Sequence, residues 1–205
     1  MRVWIKCTFV LTLTIALVSA RPAAAQAAPQ ATGVPPEAPM HADLAFGYSY
    51  LHSNAPVGGC TCFNMNGFNI SAAWPLRPGG FAIATDLTFE TIGNINNTNF
   101  SLSFNTLSVG TRYLFRTHHR SFQPYAEVLV GGAHASGSLS KLPNPLNNNA
   151  ILAFDAIAGG GVDLRAGRTF SWRLVEADYL PTTFDNGVNN HQNNFRVSSG
   201  LVIRF

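Results

Sequence analysis

Acidic and basic side chains recur in this chain at even spacings. Asp86 and Glu90, Asp163 and Arg165, and Glu176 and Asp178 are each two or four residues apart. Even spacing puts side chains on one face of an extended strand. With Arg112, Glu127, Asp155 and Arg196 they form a set that could converge on a common interior. Ion pairing between them would fill that interior and let buried charges satisfy one another. A watered version would be a narrow, gated polar pore. Paired carboxylates also suit the acid–base work of glycoside hydrolysis, but that needs a cleft for the substrate. A filled interior offers none.

Other groups carry weaker chemistry. Cys60-Thr61-Cys62 is a C-x-C pair that could form a small, strained disulfide in an oxidising compartment, or remain redox-labile. A metal there would need more ligands, and only His52 and His134 are plausible helpers. No metal or other cofactor is expected. His118 and His119 are adjacent, so on a strand they would point apart, and on a turn they are simply solvated. The glycines at 159–161 lack the helix, Lys and Ser/Thr of a phosphate loop. They suit a bulge or a place where large neighbours need space. His52, His134 and His191 have no Ser and acid set beside them, so no catalysis is expected.

The elements that must position these residues are strands. From 195 to 205 the chain alternates Phe195, Val197, Ser199, Leu201, Ile203 and Phe205 with Arg196, Ser198, Gly200, Val202 and Arg204. That is a period of two over about the length of a tilted β-strand crossing a bilayer. The same alternation recurs near 42–52, 67–75, 81–92, 103–115, 122–135, 151–165 and 170–180. Bulky residues such as Phe46, Tyr48, Phe68, Trp74, Phe81 and Leu87 form one set, small or charged residues the other. The bulky set is expected to face lipid and the small polar set the interior. The seventh strand is ambiguous. If Glu176 and Asp178 point inward, Arg173 points outward and snorkels, unless a bulge shifts the register.

Connections near 76–80, 116–121 and 166–169 are short. Those near 53–66, 93–102, 136–150 and 181–194 are long and rich in Asn, Ser and Gly. Their Asn runs are solvated turn residues or a contact surface. Only 11% of the residues are charged, against roughly 25% in average soluble proteins. Residues 1–25 read as a secretory signal, with Arg2 and Lys6 before an apolar run and Ala23-Ala24-Ala25 before Gln26. Residues 26–41 read as a flexible Ala/Pro-rich lead, and 42–205 as the barrel. Without Arg2, Lys6 and Arg21 the 13 basic residues become 10, equal to the 10 acidic ones, so nothing points to nucleic acid.

The segments Gly47-Tyr48-Ser49-Tyr50, Gln123-Pro124-Tyr125-Ala126-Glu127, Gly159-Gly160-Gly161-Val162-Asp163 and Ala177-Asp178-Tyr179-Leu180 resemble those of the OmpA-like outer-membrane barrel domain. The terminal Val202-Ile203-Arg204-Phe205 fits too. The resemblance covers about residues 42–205 and does not extend to the family's peptidoglycan-binding domain, so cell-wall anchoring is not implied. It implies an all-β, eight-stranded antiparallel up-and-down transmembrane barrel in the bacterial outer membrane, with both termini periplasmic. It also implies contact with outer-membrane lipid and recognition by the barrel assembly machinery through Leu201, Ile203 and Phe205. A monomer with a structural or surface-binding role is expected, its surface ligand undetermined. A small-solute channel is the alternative, and a barrel enzyme acting on outer-membrane lipid the third reading.

Overall fold

The computed structural model describes residues 42–53, 62–76, 79–95, 101–115, 121–137, 150–184 and 191–205. The expected signal and lead, Cys60, His118, His119 and most of the Asn runs lie outside them.

Eight strands follow one another: β1 (Asp43–Ser53), β2 (Phe63–Pro75), β3 (Phe81–Ile92), β4 (Leu102–Leu114), β5 (Phe122–Ser136), β6 (Ala150–Arg165), β7 (Phe170–Thr182) and β8 (Gln192–Arg204). Each is antiparallel to its chain neighbours, and β1 also pairs with β8, so the sheet closes as an eight-stranded barrel. Closure leaves no open edge, which a spanning sheet requires because lipid offers no hydrogen bonds. At the seam Phe46 faces Leu201, and the Phe205 amide donates to the Ala42 carbonyl at 3.0 Å.

The alternation sorts as the sequence suggests over most of the wall. Phe46, Tyr48, Phe68, Phe81, Ile83, Leu107, Val109, Val128, Val130, Phe154, Trp172 and Leu201 are exposed on the outside. From Phe81 to Phe89 the outward face of β3 covers the ~9–11 residues a tilted strand needs to cross a bilayer. Aromatic rings concentrate near the ends of this band. Tyr113 packs against Phe81 at 4.8 Å and Phe115 at 5.0 Å on one side. On the other side Phe68 stacks on Phe89 at 4.9 Å. There, too, the hydroxyls of Tyr48 and Tyr179 donate to Asn66 at 2.6 Å and Asn193 at 2.5 Å. Rings with a polar tip suit such a boundary.

Several strands run further than the sequence suggests at the end bearing the long connections. β2 starts at Phe63, not near 67, and β8 at Gln192, not near 195. In these extensions the alternation changes phase. Phe63, Met65, Leu102 and Phe104 point in and are buried, while Asn64 and Asn66 point out. The expectation of bulky residues outward throughout is corrected here. Where the wall has left the apolar band, water lies outside, so the apolar side chains turn inward.

Candidate functional site

The bore holds two stacked kinds of side chain. In its middle lie Asp86, Glu90, Glu127, Asp155, Asp163, Glu176 and Asp178 with Arg112, Arg173 and Arg196, all buried. Each comes from the inward register of its strand. Arg196 on β8 is fully buried. It donates to Asp178 at 2.7 and 2.9 Å, to Asp86 at 2.5 Å and to Glu176 at 3.4 Å. Arg112 on β4 donates to Glu127 at 2.7 Å and lies 3.9 Å from Glu176. Arg173 on β7 donates to Asp163 at 3.0 Å, to Glu176 at 2.7 Å and to Ser71 at 3.0 Å.

Glu176 is therefore the hub. It meets all three guanidiniums and accepts from Tyr125, from Ser198 at 3.2 Å and from the Asn69 amide at 3.4 Å. These partners come from β2, β4, β5, β7 and β8, so the contacts cross the bore rather than line its wall. Tyr125, whose role was not anticipated, has its ring between two guanidiniums. Arg112 lies 4.2 Å and Arg173 4.9 Å from the ring centroid. The only hint in the sequence is that Tyr125 shares the register of Glu127.

A bulge in β7 makes this hub possible. Leu174 and Val175 both point outward and together oppose Ser199, so Arg173 and Glu176 both point inward. Of the two alternatives for Arg173, the register shift is the one realised, and the side chain does not snorkel outward. At the bulge the Ser199 hydroxyl donates to the Arg173 carbonyl at 3.0 Å. That explains a hydroxyl on an otherwise apolar outer face. The glycine run serves the same assembly. A Cβ on Gly159 would lie 2.0 Å from Asp178 Oδ1, and one on Gly161 2.6 Å from the Tyr125 hydroxyl.

The grouping expected from the sequence needs two changes. Arg165 is not in the bore. It ends β6, is exposed, and donates to Gln123 at 3.1 Å, because two further residues toward the turn carry it past the interior. Glu90 and Asp155 are in the bore but have no guanidinium partner. Glu90 is bonded by Ser49, and Asp155 by Ser108 at 2.6 Å. Glu90 Oε2 and Asp155 Oδ1 have no hydrogen-bond partner among the described residues. The bore thus carries four more carboxyls than guanidiniums. Oxygens of Glu127, Glu176 and Asp178 lie within 4.8 Å of one another, as metal ligands would. The three guanidiniums already hold these groups, so a metal would compete with them.

Toward the long connections the bore is mainly apolar, with Ser53, Thr182 and Asn194 as buried polar residues among the apolar ones. Leu51, Phe63, Met65, Ile95, Leu102, Phe104, Leu129, Ile157, Leu180 and Phe184 form one buried cluster, mostly from the strand ends next to the long connections. Phe104 lies near the start of β4 and Phe184 follows β7, yet their rings meet edge-on at 6.0 Å. That contact spans the bore. Elsewhere at this end His52 and Asn64 are bonded at 2.7 Å on the outer face. Cys62 is exposed just ahead of β2, while its expected partner Cys60 is outside the described residues. On β8, Leu201, Ile203 and Phe205 alternate outward as the lipid-facing edge of the seam.

No protein-family profile matches the chain, and no curated protein matches it. Solved structures do. Neisserial surface protein A superposes with a TM-score of 0.58 at 17% identity, over 80% of this chain and 97% of that one. Ail, the attachment invasion locus protein of Yersinia pestis, gives 0.55 at 13%, over 81% and 99%. OprG of Pseudomonas aeruginosa gives 0.50 at 8%, over 81% and 96%. The fold is that of the eight-stranded outer-membrane barrels. At such identities the likeness speaks to the fold alone.

Proposed function

We propose that the protein is an outer-membrane barrel whose bore is sealed and whose work is structural or lies in surface contacts. The long connections face outward from the cell, and both termini face the periplasm. It acts as a monomer, without catalysis or cofactor, and is inserted by the assembly machinery through its β8 edge. The observation that carries this is the Glu176 hub. Charges that pair across the bore fill the space a solute would need. The Phe104–Phe184 contact supports a second seal, because an apolar constriction excludes water.

The long connections are the surface left for a partner. One structure of Ail is a complex with the heparin analogue sucrose octasulfate. The corresponding connections here carry Lys141 and Asp185 as their only charges, so their sequence does not favour a polyanion. Their Asn, Ser and Gly content suits neutral hydrogen-bonding ligands.

The carboxyl excess favours a second reading, a narrow cation pathway. Planar bilayers holding the purified protein separate the two. The sealed barrel gives no steady open conductance. A steady, salt-dependent conductance whose cation selectivity drops in Glu127→Gln would replace the sealed reading with the channel.

A further inference from the structure

The two ends of the barrel differ in charge, and the bore does not account for it. The connections at one end carry only Lys141 and Asp185. At the other, the short turns and adjoining strand ends carry Arg77, Arg116, Arg120, Arg165, Arg168 and Arg204 against Asp43 alone. Among the described residues, Arg165 and Arg204 meet at one stretch of the mouth, and Arg168 precedes Thr169, whose carbonyl accepts the Arg204 amide at 2.7 Å. Arg204 donates to Asp43 at 3.0 Å and to Gln123 Oε1 at 2.9 Å. Arg165 donates to the same Gln123 oxygen at 3.1 Å. Arg168, three residues on in the β6–β7 turn, is exposed and has no hydrogen bond or ion pair among the described residues.

The Gln123 amide oxygen is neutral, so the contact that Arg165 and Arg204 share offsets none of their charge. Asp43 balances one of the three cations. Arg165 and Arg168 are exposed and solvated by water, and an anion replacing that water would meet adjacent guanidiniums, which match phosphate oxygens in pairs. The site also sits at the level of exposed Phe122, Phe170 and Phe205, where an aromatic girdle meets lipid headgroups.

We propose that Arg165, Arg168 and Arg204 form a phosphate-binding site at the turn end of the barrel. The phosphate belongs to a phospholipid headgroup of the adjoining leaflet or to a soluble phosphate reaching the mouth. The site rests on the membrane-spanning reading above, but not on whether the bore conducts. Gln123 holds the two guanidiniums side by side, and Asp43 fixes the inner one. Arg168, exposed in the adjoining turn, supplies a third guanidinium.

The test uses the whole purified barrel in nanodiscs. One arm compares retention of phosphatidylglycerol and phosphatidylcholine with the same acyl chains, by native mass spectrometry. The other titrates inorganic phosphate into phosphatidylcholine nanodiscs and follows the Gln123 side-chain amide by NMR. At least one arm should show saturable binding, weakened by added salt. Arg165→Gln/Arg168→Gln should weaken it about 25-fold, on the order of fivefold per arginine near a membrane surface. Arg165→Lys/Arg168→Lys should retain most lipid binding. A response in the lipid arm alone assigns the headgroup, and one in the phosphate arm assigns the soluble anion. No binding in either arm, or binding unchanged in the double Gln variant, overturns the site. Should that variant not fold, Arg168→Gln decides the matter, since its side chain has no partner to lose. The shift of the folded band between unheated and boiled samples reports separately whether the barrel itself is intact.

Discussion

Two lengths of the same bore are filled by opposite chemistry. Between the aromatic belts the interior is charged and the exterior apolar. Toward the long connections Phe63, Met65 and Phe104 fill the interior, and Asn64, Asn66 and Asn105 face out. The chain keeps a period of two through both, and only its phase changes. A strand does not choose its inside by residue type but by what lies beyond its outer face. In lipid the spare polar residues go in. In water the apolar ones do, as in a soluble barrel.

The charged length should be the more fragile under single substitution. Arg196→Met keeps the volume but removes the only guanidinium among the described residues that reaches Asp86 and Asp178. Both carboxyls are buried on the lipid-bounded part of the bore. Removing one partner of a buried pair costs about 3–5 kcal/mol, and this change strands two. Arg112→Met strands Glu127 alone, because Glu176 keeps Arg173 and Arg196. Urea unfolding in lipid vesicles, followed by the fluorescence of Trp74 and Trp172, should rank Arg196→Met well below Arg112→Met. Equal losses would mean that the bore admits enough water to screen its charges, and the contrast between the two lengths would fail.

The apolar length should lose less. Phe104→Ala removes the ring that meets Phe184 across the bore. A fully packed Phe→Ala change costs about 3–5 kcal/mol. At the end of a strand, beside connections that can adjust, the lower figure is the expectation. The charged layer should stay closed, so bilayer conductance should remain absent. Appearance of a steady current in Phe104→Ala would mean that the aromatic contact, not the ion pairs, is the barrier.

Most of the wall was legible because lipid imposes a strict alternation. Phe46, Tyr48, Phe81, Phe195 and Leu201 announce their face by type alone. The inward register of Asp86, Glu127, Glu176 and Arg196 follows from the same rule. What escaped depends on departures from it. The β7 bulge is one residue, and nothing local at Leu174 or Val175 marks it. Its traces are the odd spacing of Arg173 and Glu176, which made the bulge one of two alternatives, and the Ser199 hydroxyl on an apolar face. The phase change in β2 hid behind Asn64 and Asn66, which resemble loop residues until the strand is known to outrun the membrane. The shared Gln123 contact of Arg165 and Arg204 joins residues 42 and 81 positions away from it, which periodicity does not relate.

The smallest effect should come from inside the charged length itself. Glu90 and Asp155 are closed off from solvent like Glu176, yet neither has a guanidinium within ion-pair distance among the described residues. A buried charge without a counter-charge is costly, and an amide of the same shape keeps one acceptor for the hydroxyl it already meets. Glu90→Gln and Asp155→Asn should therefore change stability by no more than about 1 kcal/mol, the worth of an ordinary hydrogen bond, in either direction. Glu176→Gln, changed in the same isosteric way, should cost several times as much because three guanidiniums lose their common partner. Urea midpoints of the three variants, compared at one pH in the same lipid, make the test. A loss at Glu90 or Asp155 as large as that at Glu176 would show that these carboxyls hold a cation of their own, and the surplus charge would then belong to a pathway rather than to a seal.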